Sequence, residues 1–386
     1  MTIQDVRNTI QGYTDIRREL EVLSKYGFDY TTHKGRTNQI LNNYHPPKIQ
    51  LAVSEIREES RSTKTMRLSS PEGYLPPFQA GQYINLFLTI DHIKTSRPYS
   101  ISSSPSQTAY YDITVGRVED GFVSNYLLDE LNIGDLLEST SPAGHFYYNP
   151  LYHGKNLVFL AGGTGVTPFI SMIREVADRN LNRTIHLVYG SRTEQDILFR
   201  EELDETCLNH ENIRVSHVIS EPEAGYQGLQ GFISAELLRN LKIDLLDGMF
   251  YICGPEAMYT FCLSELATAG VLRRRTRTEV FGLQKDISQH PGWPDRVSTN
   301  QEFQVTIKNR KKFTVRAGEP LLNAFEREGF IIPACCRSGE CSLCRARLIS
   351  GQVFQPAKAK VRKSDRKFGY IHLCASYPLE NLEILI

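Results

Sequence analysis

Eight cysteines are spread unevenly along the chain, and four of them, Cys335, Cys336, Cys341 and Cys344, crowd one short loop. Cys336, Cys341 and Cys344 stand in C-x4-C-x2-C spacing, with Cys374 thirty residues beyond. Four thiolates in that pattern suit a plant-type [2Fe–2S] cluster, because soft sulfur ligands complete two tetrahedral irons. Zinc also accepts four cysteines, but its sites usually show two C-x2-C knuckles. Disulfides fit less well: Cys335 and Cys336 are adjacent, and the opening MTIQDVRNTIQ lacks the apolar core of a secretory signal. Ser338 and Gly339 lie inside the loop, where backbone N–H groups can point at sulfur and tune the cluster's potential.

Three further groups of residues could do chemistry together. Arg97-Pro98-Tyr99-Ser100 combines a cation for a phosphate, a ring that can pack on a flavin and a hydroxyl that can bond near its N5. Gly121-Phe122-Val123-Ser124 opens a helix, where amides and a serine hydroxyl make a phosphate site. Gly162-Gly163-Thr164-Gly165-Val166-Thr167 joins a strand to a helix, so its amides can approach a pyrophosphate. Cys253-Gly254-Pro255 ends another strand where nucleotides collect, and Glu279 and Phe281 close the same region. Each has a plainer reading alone: a surface ion pair for Arg97, a core aromatic for Tyr99, a tight turn for the glycines, a buried core thiol for Cys253. The blocks persuade together and in order.

The elements that must carry these residues divide the chain into five parts. Residues 1–46 read as a helical extension, with Val6, Ile10, Tyr13, Ile16, Leu20 and Leu23 at helical spacing, followed by turn-rich TTHKGRTNQ. So wide a stripe predicts a cap packed on the following domain in preference to a docking element for a partner. Residues 47–150 alternate short strands with Pro/Gly-rich stretches, which predicts an antiparallel β-barrel with one helix from Ser124 to Leu131. Residues 151–282 alternate strand and helix, which predicts an α/β domain on a parallel sheet. Residues 283–301 show no apolar period and read as a linker; at full extension it reaches about 60 Å, so the last domain need not sit rigidly. Residues 302–386 read as a small α+β unit holding the cysteine loop, whose run PACCRSGECSLCRARLISGQV resembles the cluster loop of plant-type ferredoxin domains and so implies a ferredoxin-like (β-grasp) fold.

In this order the blocks resemble the ferredoxin–NADP reductase superfamily, and the C-terminal cysteine loop narrows the likeness to oxygenase reductases of the phenylacetyl-CoA epoxidase and phthalate dioxygenase type. The resemblance covers residues 48–386. It implies that Arg97, Tyr99 and Ser100 hold a flavin and Ser124 its phosphate. It implies that Gly162 to Thr167 cradle the nicotinamide dinucleotide, with Cys253 near the hydride path. Phe281 is then the aromatic covering the flavin ring, with Glu279 close by. It favours FAD over FMN and assigns Cys336 as the first cluster ligand, leaving Cys335 where the family has a small residue. Hydride from NAD(P)H to the flavin, then single electrons to the cluster and to a partner protein, is the implied path. A terminal oxygenase is the leading partner; a non-oxygenase acceptor or a redox sensor are alternatives.

The choice of nucleotide rests on two strand ends. Ser220-Glu221 would repel a 2′-phosphate and accept hydrogen bonds from a ribose hydroxyl, whereas Ser191-Arg192 offers a cation. Glu194 and Asp196 are close enough to occupy Arg192, so NADH is expected over NADPH. Lysine plus arginine equals aspartate plus glutamate, 44 each, which favours neither nucleic acid nor membrane as partner. No apolar run reaches bilayer-spanning length, and a soluble cytoplasmic protein is expected.

Overall fold

The structure is a computed structural model that describes residues 12–26, 35–279, 286–308, 310–334, 336–339, 341–357 and 359–386. It forms two compact units, residues 1–47 and 48–386. The first contains helices α1 (Tyr13–Tyr26) and α2 (Arg36–Tyr44). Val6 and Ile10 lie outside the described residues. α2 was not expected from the turn-rich reading. It starts after Gly35, whose φ of 87° suits glycine, and runs on because no proline follows before Pro46. Of the expected stripe, Ile16 and Leu20 are more than half exposed, at 58% and 59%, whereas Tyr13 and Leu23 are half-buried, so α1 is covered only in part.

The second unit begins with an antiparallel sheet. Its strands are β1 (Ile49–Ser60), β2 (Thr63–Ser69), β3 (Tyr83–Ile90), β4 (Ile93–Ser100), β5 (Tyr110–Gly116) and, after helix α3 (Phe122–Asp129), β6 (Leu136–Ser139). They run in the order β4-β3-β6-β1-β2-β5, and a bridge from Ile101 to Ile113 links the two ends into a barrel. Alternate residues such as Leu51 and Val53, Met66 and Leu68, and Ile84 and Leu86 fill its interior, as a two-residue period requires. α3 starts two residues before the expected Ser124, because Gly121 serves as its N-cap.

The next domain alternates as expected: β7 (Asn156–Gly162), α4 (Thr167–Asp178), β8 (Thr184–Ser191), α5 (Arg200–Asn209), β9 (Ile213–Ile219), β10 (Leu229–Gln230), α6 (Ala235–Asn240), β11 (Met249–Cys253), α7 (Glu256–Thr268) and β12 (Thr276–Glu279). All pairings are parallel, in the order β10-β9-β8-β7-β11-β12. Both faces of β7 are buried, Phe159 in one core and Val158 and Leu160 in the other, which explains its unbroken apolar run. The order reverses at β7, so the ends of β7 and β11 open a crevice between them.

The last domain comprises β13 (Glu302–Ile307), β14 (Lys312–Arg316), α8 (Leu321–Arg327), β15 (Arg345–Ser350), β16 (Val353–Phe354), α9 (Lys363–Lys367), β17 (Tyr370–His372), β18 (Tyr377–Pro378) and β19 (Leu382–Leu385). Its five-stranded sheet runs β14-β13-β19-β15-β17, with β13 parallel to β19. The expectation of a loose tether is revised. Within the described part of the linker, Ile287 and Val297 are buried, and Trp293 packs edge-on against Phe354 at 5.3 Å. Single anchors of this kind leave no period in the sequence. Among the described residues no helix is long and apolar enough to cross a membrane.

Candidate functional site

The cysteine loop is drawn together by its own backbone. Arg337, Gly339 and Ser342 have φ of 50°, 81° and 61°, in the left-handed region. Only glycine fits at 339, where a Cβ would lie 2.9 Å from the Ala375 side chain. This winding aims N–H groups inward: those of Cys341 and Ser338 reach Cys336 Sγ at 3.3 and 3.5 Å. Cys374 arrives from the turn after β17, tied to the loop because the Leu373 N–H donates to the Cys344 carbonyl at 3.0 Å. Side-chain contacts run from Cys341 to Cys336, on to Cys374 and then to Cys344. The thiols of Cys341 and Cys374 and the Ser338 N–H hold Cys336 far below the usual thiol range. Four converging sulfurs with donors aimed at one of them fit a cluster that carries negative charge on its sulfurs. Cys335 lies outside the described residues.

One cleft of about 1410 Å³ gathers residues from all three domains of the second unit. From the barrel it takes Arg97, Pro98, Tyr99 and Ser100 on β4, and Gly121 and Ser124 at the start of α3. A Cβ on Gly121 would sit 2.2 Å from Ser124 Oγ, so the bare glycine leaves room for that hydroxyl. Burial, with the Arg337 charge second, lowers the Arg97 guanidinium to about 10, while Glu326 raises it. Burial pushes the Tyr99 phenol up, so it stays neutral.

From the parallel sheet the cleft takes the turn after β7 and the end of β11. Gly162, Gly163, Thr164, Gly165 and Thr167 line it, as do Cys253, Gly254 and Pro255. The crossing is tight: a Cβ on Gly165 would lie 2.2 Å from the Cys253 carbonyl oxygen, and one on Gly162 would lie 2.3 Å from Met258 Sδ. Thr167 Oγ1 donates to the Thr164 carbonyl at 2.6 Å and closes the turn. Burial, then Glu279, pushes the Cys253 thiol well up, so it is no thiolate. Glu279 is buried and registers beside Cys253 at the end of β12, but it does not line the cleft. Phe281 lies outside the described residues.

Ser191 and Arg192 line the cleft, but Glu221 does not. The Glu221 N–H donates to the Arg192 carbonyl at 2.8 Å, so the two strand ends are side by side. Arg192 is exposed and its Nε lies 3.7 Å from Asp196 Oδ2, the pairing anticipated for it.

The sequence reading missed the residues that join the cysteine loop to the barrel. Arg337, Asn323 and Glu326 were not singled out, nor were Asn85, Thr95 and Ser96. Arg337 follows a cluster cysteine and lines the cleft, which is the one signal that could have marked it.

Three family descriptions match in this order: an oxidoreductase FAD-binding domain over residues 50–148, an oxidoreductase NAD-binding domain over 159–263, and a 2Fe-2S iron-sulfur cluster binding domain over 305–379. The chain belongs to the ferredoxin–NADP reductase superfamily, in a form that carries a C-terminal [2Fe–2S] domain. It is an NAD(P)H-dependent oxidoreductase whose cofactors are FAD, NADH and a [2Fe–2S] cluster. Among curated relatives, the glycine betaine monooxygenase reductase subunit of Chromohalobacter salexigens is 29% identical over 344 residues, covering 86% of this chain and 93% of the relative. A flavohemoprotein of Rhodopirellula baltica is 32% identical over 286 residues, covering 69% and 70%. Among solved structures, phthalate dioxygenase reductase superposes with a TM-score of 0.65 at 24% identity, covering 88% of this chain and 98% of that one.

Proposed function

We propose that this protein is the reductase component of a terminal oxygenase or hydroxylase, taking reducing equivalents from NADH and delivering them singly to that partner. The observation that carries the reading is the shared cleft, in which the β4 run, the β7 turn and the cysteine loop face one another. When bound, the flavin accepts a hydride and releases its electrons one at a time. The chain's own residues hold and orient. Arg97 offers a half-buried cation to the flavin's phosphate side, Tyr99 a neutral ring to its face and Ser100 a hydroxyl. The Gly121–Ser124 helix start takes a phosphate, and the glycine turn from Gly162 to Thr167 brings amides against the dinucleotide. Cys253, a neutral thiol at the switch point, fills space beside the nicotinamide without acting as a base. Cys336, Cys341, Cys344 and Cys374 hold the cluster. Glu279 stands beside Cys253 at the end of β12, and Glu221 sets the preference for NADH.

A terminal oxygenase is favoured as partner by full-length likeness to a monooxygenase reductase subunit. The test is reconstitution. NADH should be oxidised and cytochrome c reduced by the purified protein alone. Adding its partner terminal oxygenase, sought among those of the same organism, should give NADH-dependent product. Cytochrome c reduction without coupling to any such oxygenase would leave the reductase standing and remove the oxygenase assignment.

A further inference from the structure

The contact between the cysteine loop and the barrel is polar, buried and centred on one hydroxyl. Arg337 and Glu326 are only 8% and 6% exposed and form an ion pair within the last domain. Both reach across to β4: Arg337 Nε donates to the Ser96 carbonyl at 2.6 Å, and its Nη2 to Thr95 Oγ1 at 3.1 Å. Thr95 Oγ1 in turn donates to Glu326 Oε2 at 3.1 Å and accepts from Arg97 Nη1 at 2.7 Å. A second hydrogen-bonded point lies alongside, where Asn85 Nδ2 and Ser96 Oγ donate to the Ala334 carbonyl at 2.9 and 3.3 Å. Arg337 is the residue after ligand Cys336 and Arg97 the residue after Ser96, so one side chain spans from the cluster loop to the flavin-binding run.

A buried ion pair of this sort adds little net stability, but breaking one side leaves an uncompensated charge. Its use is to fix one arrangement out of many. Surface contacts would let the last domain slide; a fork of donors on a carbonyl and a hydroxyl would not. The left-handed φ of 50° at Arg337 is costly for a non-glycine residue and persists where surroundings over-determine it.

We propose that Arg337, with Thr95 and Glu326, is a positioning latch that seats the cluster loop on the flavin-binding strand. The proposal rests on the reductase reading above. The latch governs how quickly the cluster is filled, and leaves NADH's reaction with the flavin alone. It is a fit between two domains, so it can be opened from either side.

The experiment compares wild type, Arg337→Gln and Thr95→Val as cofactor-loaded full-length proteins, Thr95→Val removing the hydroxyl from the barrel side without touching the cluster loop. Rapid mixing with NADH follows flavin bleaching and cluster bleaching at their separate wavelengths. NADH should still bleach the flavin in both variants, and both should keep the cluster spectrum. In both, cluster reduction should slow roughly tenfold or more, as expected when the seated fraction falls by that factor. Amide hydrogen exchange should also rise in β4 and around Ala334 in both variants, a readout independent of turnover. Unchanged cluster reduction and exchange in both variants would overturn the latch. Wild-type flavin that NADH does not bleach would overturn the reductase reading, and the latch with it.

Discussion

The cysteine loop and the nucleotide cleft reach similar precision by opposite means. In the loop, three of the four converging cysteines and the N–H donors aimed at Cys336 come from nine consecutive positions, 336–344, and the geometry is local winding through positive φ. In the cleft no segment suffices: the β4 run, the start of α3, the β7 turn and the end of β11 come from positions up to 158 apart, Arg97 to Pro255. A local site should fail as a unit when one ligand goes. A site assembled from strand ends should lose affinity in steps, according to how stiff the altered contact is.

The largest expected effect is therefore at the loop. Cys374→Ser should abolish the cluster and its visible absorption, while NADH still bleaches the flavin. Retention of a wild-type cluster spectrum would show that Cys374 is not a ligand. Next comes the turn after β7. Gly165→Ala sets a methyl against a backbone carbonyl that cannot swing aside, an overpacking cost of about 1–3 kcal/mol. NADH affinity, measured by titration or as KM, should weaken roughly ten- to hundredfold, with the cluster spectrum untouched. A loss of cluster in this variant would mean the two regions are not separable.

A smaller effect is expected on the outer face of the last domain. Arg362, Lys363, Arg366 and Lys367 are exposed beside Arg345 and Arg347, and the one acid of the segment, Asp365, is buried with Arg345 at 3.5 Å. Residues 357–367 carry six basic residues, of which Lys358 lies outside the described residues. This face should attract an acidic acceptor through its on-rate. Reversing Arg362, Lys363 and Lys367 to glutamate should slow electron delivery roughly tenfold at low salt and flatten its salt dependence. An unchanged rate at low salt would make the face a merely solvated one. The smallest effect is at nucleotide choice. Wild type should show the higher kcat/KM with NADH, and Glu221→Arg should narrow the gap. Because Arg192 lines the cleft and Glu221 does not, a strong NADPH preference lost in Arg192→Ala would reverse the assignment.

Chain order alone determined a good deal here. The C-x4-C-x2-C spacing with Cys374 marks the cluster because its ligands are mostly neighbours. The glycine turn and the Arg97–Ser100 run were legible as cleft-lining segments because each lies within a few consecutive residues. The alternation of β7 to β12 marks a parallel sheet because both faces must be apolar. Tertiary structure decided the rest. That β7 and β11 are adjacent, placing Gly165 against Cys253, follows from strand order, which no local pattern encodes. That residues 286–301 pack through Ile287, Trp293 and Val297, and that Arg337 meets Thr95 and Ser96 some 240 positions away, depends on which surfaces come to face each other. A side chain that satisfies a distant carbonyl leaves no period and no motif; its meaning exists only once both domains are folded and docked.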